Sequence, residues 1–292
     1  MPELTEKKDW DVIYDPDDVK HKRLDVRRTV KALVRKYGGD KTLGYMSNYA
    51  EHLLWEVIYP RYLPRTGRAK VLEVGCAPGH HLVRLAQTFG LVPYGVEYSD
   101  SGVELNRRVF AANGIDPDNV IHADFLSEEF HKQYRGCFDV VMSRGFIEHF
   151  TEVEEVVEKH VNLLADGGIL VVSIPNYRKV NYLIKWVLRR DNIAMHNLKI
   201  MQRDRFAPLF QRTGLAALYC DYYGTFNLGL FSTKRNSPKR FLLVPLRLLQ
   251  LALNIVFRLL FGDRGGESRS FSPYLLFVGR KGSSPAGGAD EP

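Results

Sequence analysis

Ten residues, K-V-L-E-V-G-C-A-P-G at positions 70–79, constrain the fold more than any other stretch of the chain. Val71, Leu72 and Val74 make a short apolar run that fits a buried parallel strand. Gly75, Ala77 and Gly79 follow at spacing two, and small residues there let the backbone turn sharply and approach a ligand closely. From His80 to Phe89 apolar residues recur at helical spacing, at Leu82, Leu85, Ala86 and Phe89. Strand, tight small-residue loop and helix make a nucleotide-type binding turn. A dinucleotide fingerprint needs G-x-G-x-x-G, but Ala77 stands at its second glycine position and His80 at its third. That argues against a nicotinamide or flavin site. The plainer alternative is a tight strand-to-helix turn with no ligand.

The chain has 292 residues, enough for one large domain or two small ones with a full core. Its three cysteines, Cys76, Cys137 and Cys220, are widely spaced and odd in number, which suits neither a disulfide framework nor a zinc cluster. A reducing, cytoplasmic setting follows. The polar start M-P-E-L-T-E-K-K-D-W reads as no signal peptide. The formal charge of +7 is concentrated: residues 231–280 hold nine Lys or Arg against two Asp or Glu, and the remainder is neutral.

In chain order, residues 1–24 are charged and read as a loose start. Apolar spacing predicts helices at about 24–37 and 47–59, the second ended by Pro60 and Pro64, and these form an N-terminal helical cap over 1–64. After the 70–79 turn, V-P-Y-G-V-E-Y-S at 92–99 predicts a second strand ending at Glu97. An acidic side chain there can accept hydrogen bonds from both hydroxyls of a ribose, or serve as a helix N-terminal charge. Ser99 or Asp100 caps a helix to Asn113. N-V-I-H-A-D-F-L at 119–126 predicts a third strand ending at Asp124, whose carboxylate can accept from an adenine amino group while Phe125 packs on the ring. A fourth strand runs from Asp139 to Ser143, Arg144 and Gly145, with Glu148 and His149 within one turn. Thr151 caps a helix over 152–164, residues 165–168 form a turn, and 169–174 is a fifth strand closed by Pro175, Asn176 and Tyr177. Strands alternating with helices at this spacing predict an α/β, doubly wound, mostly parallel sheet.

Residues 70–177 resemble class I S-adenosylmethionine-dependent methyltransferases. The resemblance rests on V-L-E-V-G-C-A-P-G, G-V-E-Y-S, H-A-D-F, F-D-V-V-M-S-R-G-F-I-E-H-F and L-L-A-D-G-G-I-L-V-V-S-I-P-N, in the family's order and spacing. It implies a seven-stranded Rossmann-like sheet with an antiparallel last strand over 65–280, with S-adenosyl-L-methionine as cofactor. It implies that Glu73, Gly75, Cys76, Ala77 and Gly79 surround the methionine part. Glu97, with Tyr98 beside it, would bind the ribose, Asp124 and Phe125 would meet adenine, and Ser143 and Arg144 would border the sulfonium and the acceptor. The His80-His81 pair departs from the usual loop and either intrudes on the acceptor pocket or merely begins the helix.

Methyl transfer asks mainly for alignment of the acceptor with an already activated methyl group. A hydroxyl acceptor also has to lose a proton, which a histidine suits. His149 is the candidate base, with Glu148 as its orienter, a cofactor-side residue or a substrate contact; His80, His81 and His196 are weaker base candidates, and Tyr49, His80, Tyr177 and His196 are substrate-side candidates. Sequence spacing offers no metal-ligand cluster.

Residues 178–213 predict a helical lid in which Tyr182, Leu183, Trp186 and Val187 form the apolar side of an amphipathic helix, followed by a helix from Asp204 to Gln211. Strands six and seven fall at 215–223 and 274–279, separated by a basic insertion over 226–272. Residues 241–261 approach a membrane span in length, yet Arg247, Gln250, Asn254 and Arg258 make one polar stripe. The stripe fits a helix lying in a membrane interface, flanked by Lys234, Arg235, Lys239, Arg240 and Arg264. A homodimer contact, an acceptor lid or an ordinary buried helix are the rivals. The tail 281–292 reads as disordered. The expected activity is O-methylation of a small-molecule, glycan or lipid-linked acceptor, with peripheral membrane contact through 238–262. The alternatives are N- or C-methylation of a soluble metabolite, or a non-catalytic cofactor-binding scaffold. A nucleic-acid partner is disfavoured, because the basic residues flank an apolar run instead of forming a broad basic face.

Overall fold

A computed structural model describes residues 3–14, 48–231 and 240–282. The helix expected at 24–37, the basic residues Lys234, Arg235 and Lys239, and the tail from 283 lie outside the described residues. Where a loose start was expected, a short helix α1 (Lys7–Ile13) forms, and Glu3 before it bridges Phe150. The next helix outruns its expected end. An α turn (Tyr49–His52), a wide π-helical stretch (Leu53–Ile58) and a last turn (Tyr59–Tyr62) make one continuous element, α2. Proline has no N–H and clashes with the carbonyl four residues back in a regular helix. The widened turn before Pro60 gives it room.

β1 (Lys70–Val74) passes through the small-residue turn into α3 (His80–Phe89), and β2 (Val92–Glu97) into α4 (Asp100–Ala111). Ser99 caps α4, its Oγ accepting the Gly102 amide at 3.1 Å. β3 (Val120–His122) stops short of Asp124, which turns the chain by accepting the Leu126 amide at 2.8 Å. α5 (Glu128–Tyr134) and β4 (Phe138–Arg144) follow. In α6 (Val153–Asn162) the cap position belongs to Glu152, not Thr151. β5 (Leu164–Pro175) absorbs the turn expected at 165–168: Leu164 pairs with Phe138, the register shifts before Val140, and Gly167 takes a φ of 75°. After α7 (Lys179–Arg189), the single helix expected at 204–211 is split by Pro208 into α8 (Arg203–Phe206) and α9 (Pro208–Gln211). β6 (Ala216–Tyr223), α10 (Arg240–Phe261) and β7 (Tyr274–Arg280) complete the chain.

The described strands form one seven-stranded sheet in the order β3-β2-β1-β4-β5-β7-β6, with β7 antiparallel to both neighbours. This is the doubly wound architecture expected. Alternation along the strands builds a core on each face: Leu72, Val74, Val141 and Val172 on one, Val71, Val140, Met142 and Val171 on the other. The order reverses between β1 and β4, so the carboxyl ends of β1 to β5 open a crevice at that edge.

Two helices bury polar residues and turn apolar ones outward. On α7 the apolar set of Tyr182, Leu183, Trp186 and Val187 faces solvent, with Leu183 61% exposed, while Asn181, Lys185 and Leu188 are buried. Asn181 Nδ2 donates to the Phe271 and Ser272 carbonyls, at 3.3 and 3.1 Å, and this fixes the face. On α10 the centre of the polar stripe points inward. Gln250, 2% exposed, accepts the Leu228 amide at 2.7 Å and donates to the Phe226 carbonyl at 3.1 Å and to Asn254 Oδ1 at 2.8 Å. Asn254 Oδ1 also accepts the Tyr49 amide at 3.3 Å. Leu248, Leu249, Val256, Leu259 and Leu260 therefore face outward. Two of the four stripe residues, Gln250 and Asn254, thus hydrogen-bond backbone groups that would otherwise be buried unpaired. Among the described residues no helix is long and apolar enough to cross a membrane.

Candidate active site

A cavity of about 550 Å³ lies over the carboxyl ends of the central strands, with α1 across one side. One half is built by the turn after β1. Gly79 has a φ of 86°, and a Cβ there would run into the Asn106 carboxamide. Asn106 Nδ2 in turn donates to Cys76 Sγ at 2.8 Å, and complete burial pushes the Cys76 thiol well above its usual range, leaving it unreactive. Glu73 reaches the cavity from the strand itself. Its Oε1 lies 3.0 Å from His81 Nδ1, and His81 Nε2 lies 3.1 Å from the Tyr59 hydroxyl. Burial lowers the His81 pKa, so the ring is neutral. With a carboxylate beside Nδ1, the tautomer carries its hydrogen there and accepts at Nε2 from the hydroxyl. Glu73 Oε2 is left buried with no hydrogen-bond partner.

At the end of β2, Glu97 accepts the Tyr98 and Ser99 amides on Oε1, at 3.1 and 3.0 Å, and the Ala77 amide on Oε2 at 3.5 Å. Burial raises its pKa while those three amides lower it. Tyr98, Asp124 and Phe125 also line the cavity, the Phe125 ring standing edge-on to Phe146 with centroids 5.5 Å apart.

The other half gathers the polar side chains. Arg144 Nη2 donates to Glu51 Oε1 at 3.2 Å at the cavity wall. Glu148 is 1% exposed, and its Oε2 has no hydrogen-bond partner; burial pushes its carboxyl up to about 8. His149 Nδ1 donates to the Met195 carbonyl at 2.7 Å, and His196 Nδ1 to the Asn192 carbonyl at 2.8 Å. Each ring therefore keeps its lone pair on Nε2. Burial lowers His149 to about 4 and His196 to about 3, with the positive charge of Lys185 adding to both. Tyr177 meets His196 edge-on at 5.0 Å, and Trp10 of α1 meets His149 edge-on at 5.1 Å.

The fold thus brings together Glu73, Gly75, Cys76, Ala77, Gly79, His80, Glu97, Tyr98, Asp124, Phe125, Arg144, Glu148, His149, Tyr177 and His196. Two candidates are corrected. Ser143 is buried off the cavity, because alternation sends its side chain to the sheet face opposite Arg144. Tyr49 sits beneath α10, its hydroxyl donating to the Gly262 carbonyl at 3.0 Å. The sequence reading missed Trp10 and Tyr14, which line the cavity from a segment with no motif of its own. It also missed a relation: one donor atom each of Glu148, His149 and His196 lies within 4.8 Å of the others. His196 is 47 residues from His149, so no spacing pattern could show it.

The methyltransferase-domain family matches residues 46–219, which carry α2 through the first half of β6 and most of this cavity. The chain belongs to that family. A curated relative, ajmaline N-methyltransferase of Rauvolfia serpentina, is 21% identical over 155 residues, 53% of this chain and 52% of its own; the chain spans about half the length of that relative. Among solved structures, a sarcosine dimethylglycine methyltransferase from Galdieria sulphuraria aligns with a TM-score of 0.52 at 18% identity, over 80% of this chain and 85% of its own. The geranyl diphosphate C-methyltransferase of Streptomyces coelicolor A3(2), solved with Mg2+, geranyl diphosphate and S-adenosyl-L-homocysteine, aligns at 0.51 and 14% identity, over 79% and 80%. These likenesses concern the fold.

The family's cofactor is S-adenosyl-L-methionine, and the residues present fit it. The unpartnered Glu73 Oε2 offers an acceptor to an ammonium group, and Glu97 presents a carboxylate at the strand end where a ribose is held. The missing Cβ at Gly79 keeps the turn compact beneath the ligand.

Proposed function

We propose that the protein is an S-adenosylmethionine-dependent O-methyltransferase acting on a small hydroxylated acceptor. The cofactor supplies an activated methyl group on a sulfonium. Glu73 and the 75–79 turn hold its methionine end, Glu97 its ribose, and Asp124 with Phe125 its adenine. Glu148, His149 and His196 make the polar wall where the acceptor's hydroxyl would lie. The observation that carries the oxygen reading is the His149 tautomer: Nδ1 is committed to the Met195 carbonyl, so Nε2 is a fixed proton acceptor at the cavity. A pKa of about 4 makes it unprotonated at neutral pH. A weak base suffices, since a hydroxyl oxygen becomes strongly acidic as its bond to the methyl carbon forms. Glu148, at about 8, stays protonated and can donate a hydrogen bond to the acceptor.

The outward apolar faces of α7 and α10 favour a second element of the reading, an acceptor met at a lipid surface, either a lipid or a lipid-linked glycan. A dimer contact or an acceptor lid through the same faces are the other outcomes. The test is a screen with methyl-labelled cofactor over lipid and soluble extracts. Label entering base-stable ethers or base-labile esters supports oxygen transfer; label found only on nitrogen or carbon, or no transfer at all, overturns it.

A further inference from the structure

We infer that Glu148, His149 and His196 form a three-ligand site for a divalent transition-metal ion in the wall of the acceptor cavity. The inference rests on the reading of this cavity as the acceptor side of a methyltransferase site. Two imidazoles and one carboxyl group each offer a donor atom, all within 4.8 Å of one another; Glu148, protonated in the absence of an ion, releases that proton to solvent as it ligates. Donors sharing a tetrahedral ion at about 2.1 Å lie roughly 3.4 Å apart. Rotation of the Glu148 side chain and a small shift of the rings would close the difference.

Three features set this cluster apart from a chance meeting of polar groups. Both imidazoles have Nδ1 tied to a backbone carbonyl, at 2.7 Å for His149 and 2.8 Å for His196. That is the outer-shell hydrogen bond by which metal-ligating histidines are held in the tautomer that ligates through Nε2. The backbones of the two segments are also bound together. The Asn197 amide donates to the Glu148 carbonyl at 2.6 Å, and Asn197 Nδ2 donates to the Phe150 carbonyl at 3.1 Å. The donors thus sit on a cross-braced frame. Finally, Glu148 Oε2 is buried, lines the cavity and has no hydrogen-bond partner. A buried carboxyl oxygen in that state is costly, and a cation would relieve it.

The donor set selects the metal class. Imidazole and carboxylate together suit Zn2+, Fe2+, Co2+ or Mn2+, whereas Mg2+ and Ca2+ prefer all-oxygen shells. Three protein ligands leave a coordination position for water or the acceptor's hydroxyl. Lys185 opposes binding. It is buried with Nζ 4.0 Å from the Tyr177 ring centroid, and its charge reaches all three groups. Burial lowers its own pKa to about 8, which weakens that opposition. With an ion present, His149 Nε2 would be a ligand and no longer the proton acceptor; the ion would lower the pKa of a coordinated hydroxyl, whose proton would pass to solvent water.

The test uses the full chain freed of metal by chelation and titrated with Co2+, read by visible absorption, and with Zn2+, read by calorimetry. One saturable ion per chain is expected, with affinity reduced at least tenfold in His196→Ala and in Glu148→Gln. No saturable Co2+ absorption in the wild type, or equal affinity in both variants, overturns the site. Calorimetry with S-adenosyl-L-methionine on the same preparations checks that each variant is folded. It also separates the two claims: cofactor binding without Co2+ binding removes the metal site alone, and Co2+ binding without cofactor binding removes the methyltransferase reading alone.

Discussion

His81 holds Glu73 by one oxygen and leaves the other to the cavity. The pair is buried, and Tyr59 completes the chain by giving its hydroxyl hydrogen to the far nitrogen of the ring. Replacing His81 with alanine frees Glu73 to rotate and strips a charge-assisted hydrogen bond of about 1.5–3 kcal/mol. Calorimetry should show the dissociation constant for S-adenosyl-L-methionine rising roughly tenfold or more. His80→Ala, which alters an exposed side chain, should change it little. Similar losses in both variants would refute the distinction.

Glu97 is predicted to matter more, because three amides orient it at the end of β2. Glu97→Ala removes the acceptor for the ribose and leaves those amides buried without their partner, so cofactor binding should fall by roughly 100-fold. Glu97→Gln keeps an acceptor oxygen and should lose less. Unchanged binding in the alanine variant would move the ribose elsewhere.

His149→Ala should lower turnover at least 10-fold to 100-fold while cofactor affinity stays within about threefold of wild type. The measurement is kcat set beside calorimetric affinity on one preparation. Equal activity removes His149 from the chemistry.

Acid should destabilise the fold between about pH 6.5 and 4. His149, His160 and His196 are held neutral by burial, at about 4, 4 and 3. The unfolded chain binds their protons below about pH 6.5 and the folded chain does not, so stability falls as pH falls through that window. Each group contributes about 1.4 kcal/mol per pH unit at most. Glu148, raised to about 8, works in the opposite direction, losing stability as pH rises from about 4.5 to 8. The three histidines outnumber it. His160 is fully buried with Nε2 unpartnered, so His160→Leu should flatten the dependence of Tm on pH by one proton's worth. An unchanged slope would mean that His160 is not protonated on unfolding.

On α10, Gln250→Leu should lower stability by about 2–4 kcal/mol, since the Leu228 amide and Phe226 carbonyl lose their partner. Leu259→Glu with Leu260→Glu should leave Tm nearly unchanged, Leu260 being 71% exposed. The same pair should abolish flotation with vesicles containing anionic lipid. Flotation retained by the pair, or absent in the wild type, counts against a lipid-facing α10.

What could be read in the sequence was local. The strand, turn and helix from Lys70 to Phe89 were legible because burial, small residues and helical spacing all act within twenty residues. The carboxylate at Glu97 was legible because a parallel strand delivers its last residue to a known edge, and Asp124, two residues past the end of β3, lies at that same edge. Orientation was harder. Periodicity shows that α7 and α10 have two faces, but not which face the rest of the chain can satisfy. Asn181 and Gln250 go inward because backbone groups at 271–272 and 226–228 need partners, a demand that exists only after folding. Ser143 was misplaced by one residue of strand alternation. The meeting of His149 with His196 was out of reach, because a chain crossing carries it.

The first residues carry one further consequence. Leu4 donates to the His149 carbonyl at 2.8 Å, Asp11 accepts from the Ser99 hydroxyl at 2.9 Å, and the cavity is lined by Trp10 between these two tethers and by Tyr14 just beyond the second. The segment is a strap held at the His149 side by Leu4 and at the Ser99 side by Asp11, which also accepts from Ser101, with Lys7 paired to Asp100 between them. A ligand leaving past α1 would have to break one of these sets of contacts. Trp10, stacked edge-on to His149, would report each opening as a change in its own fluorescence.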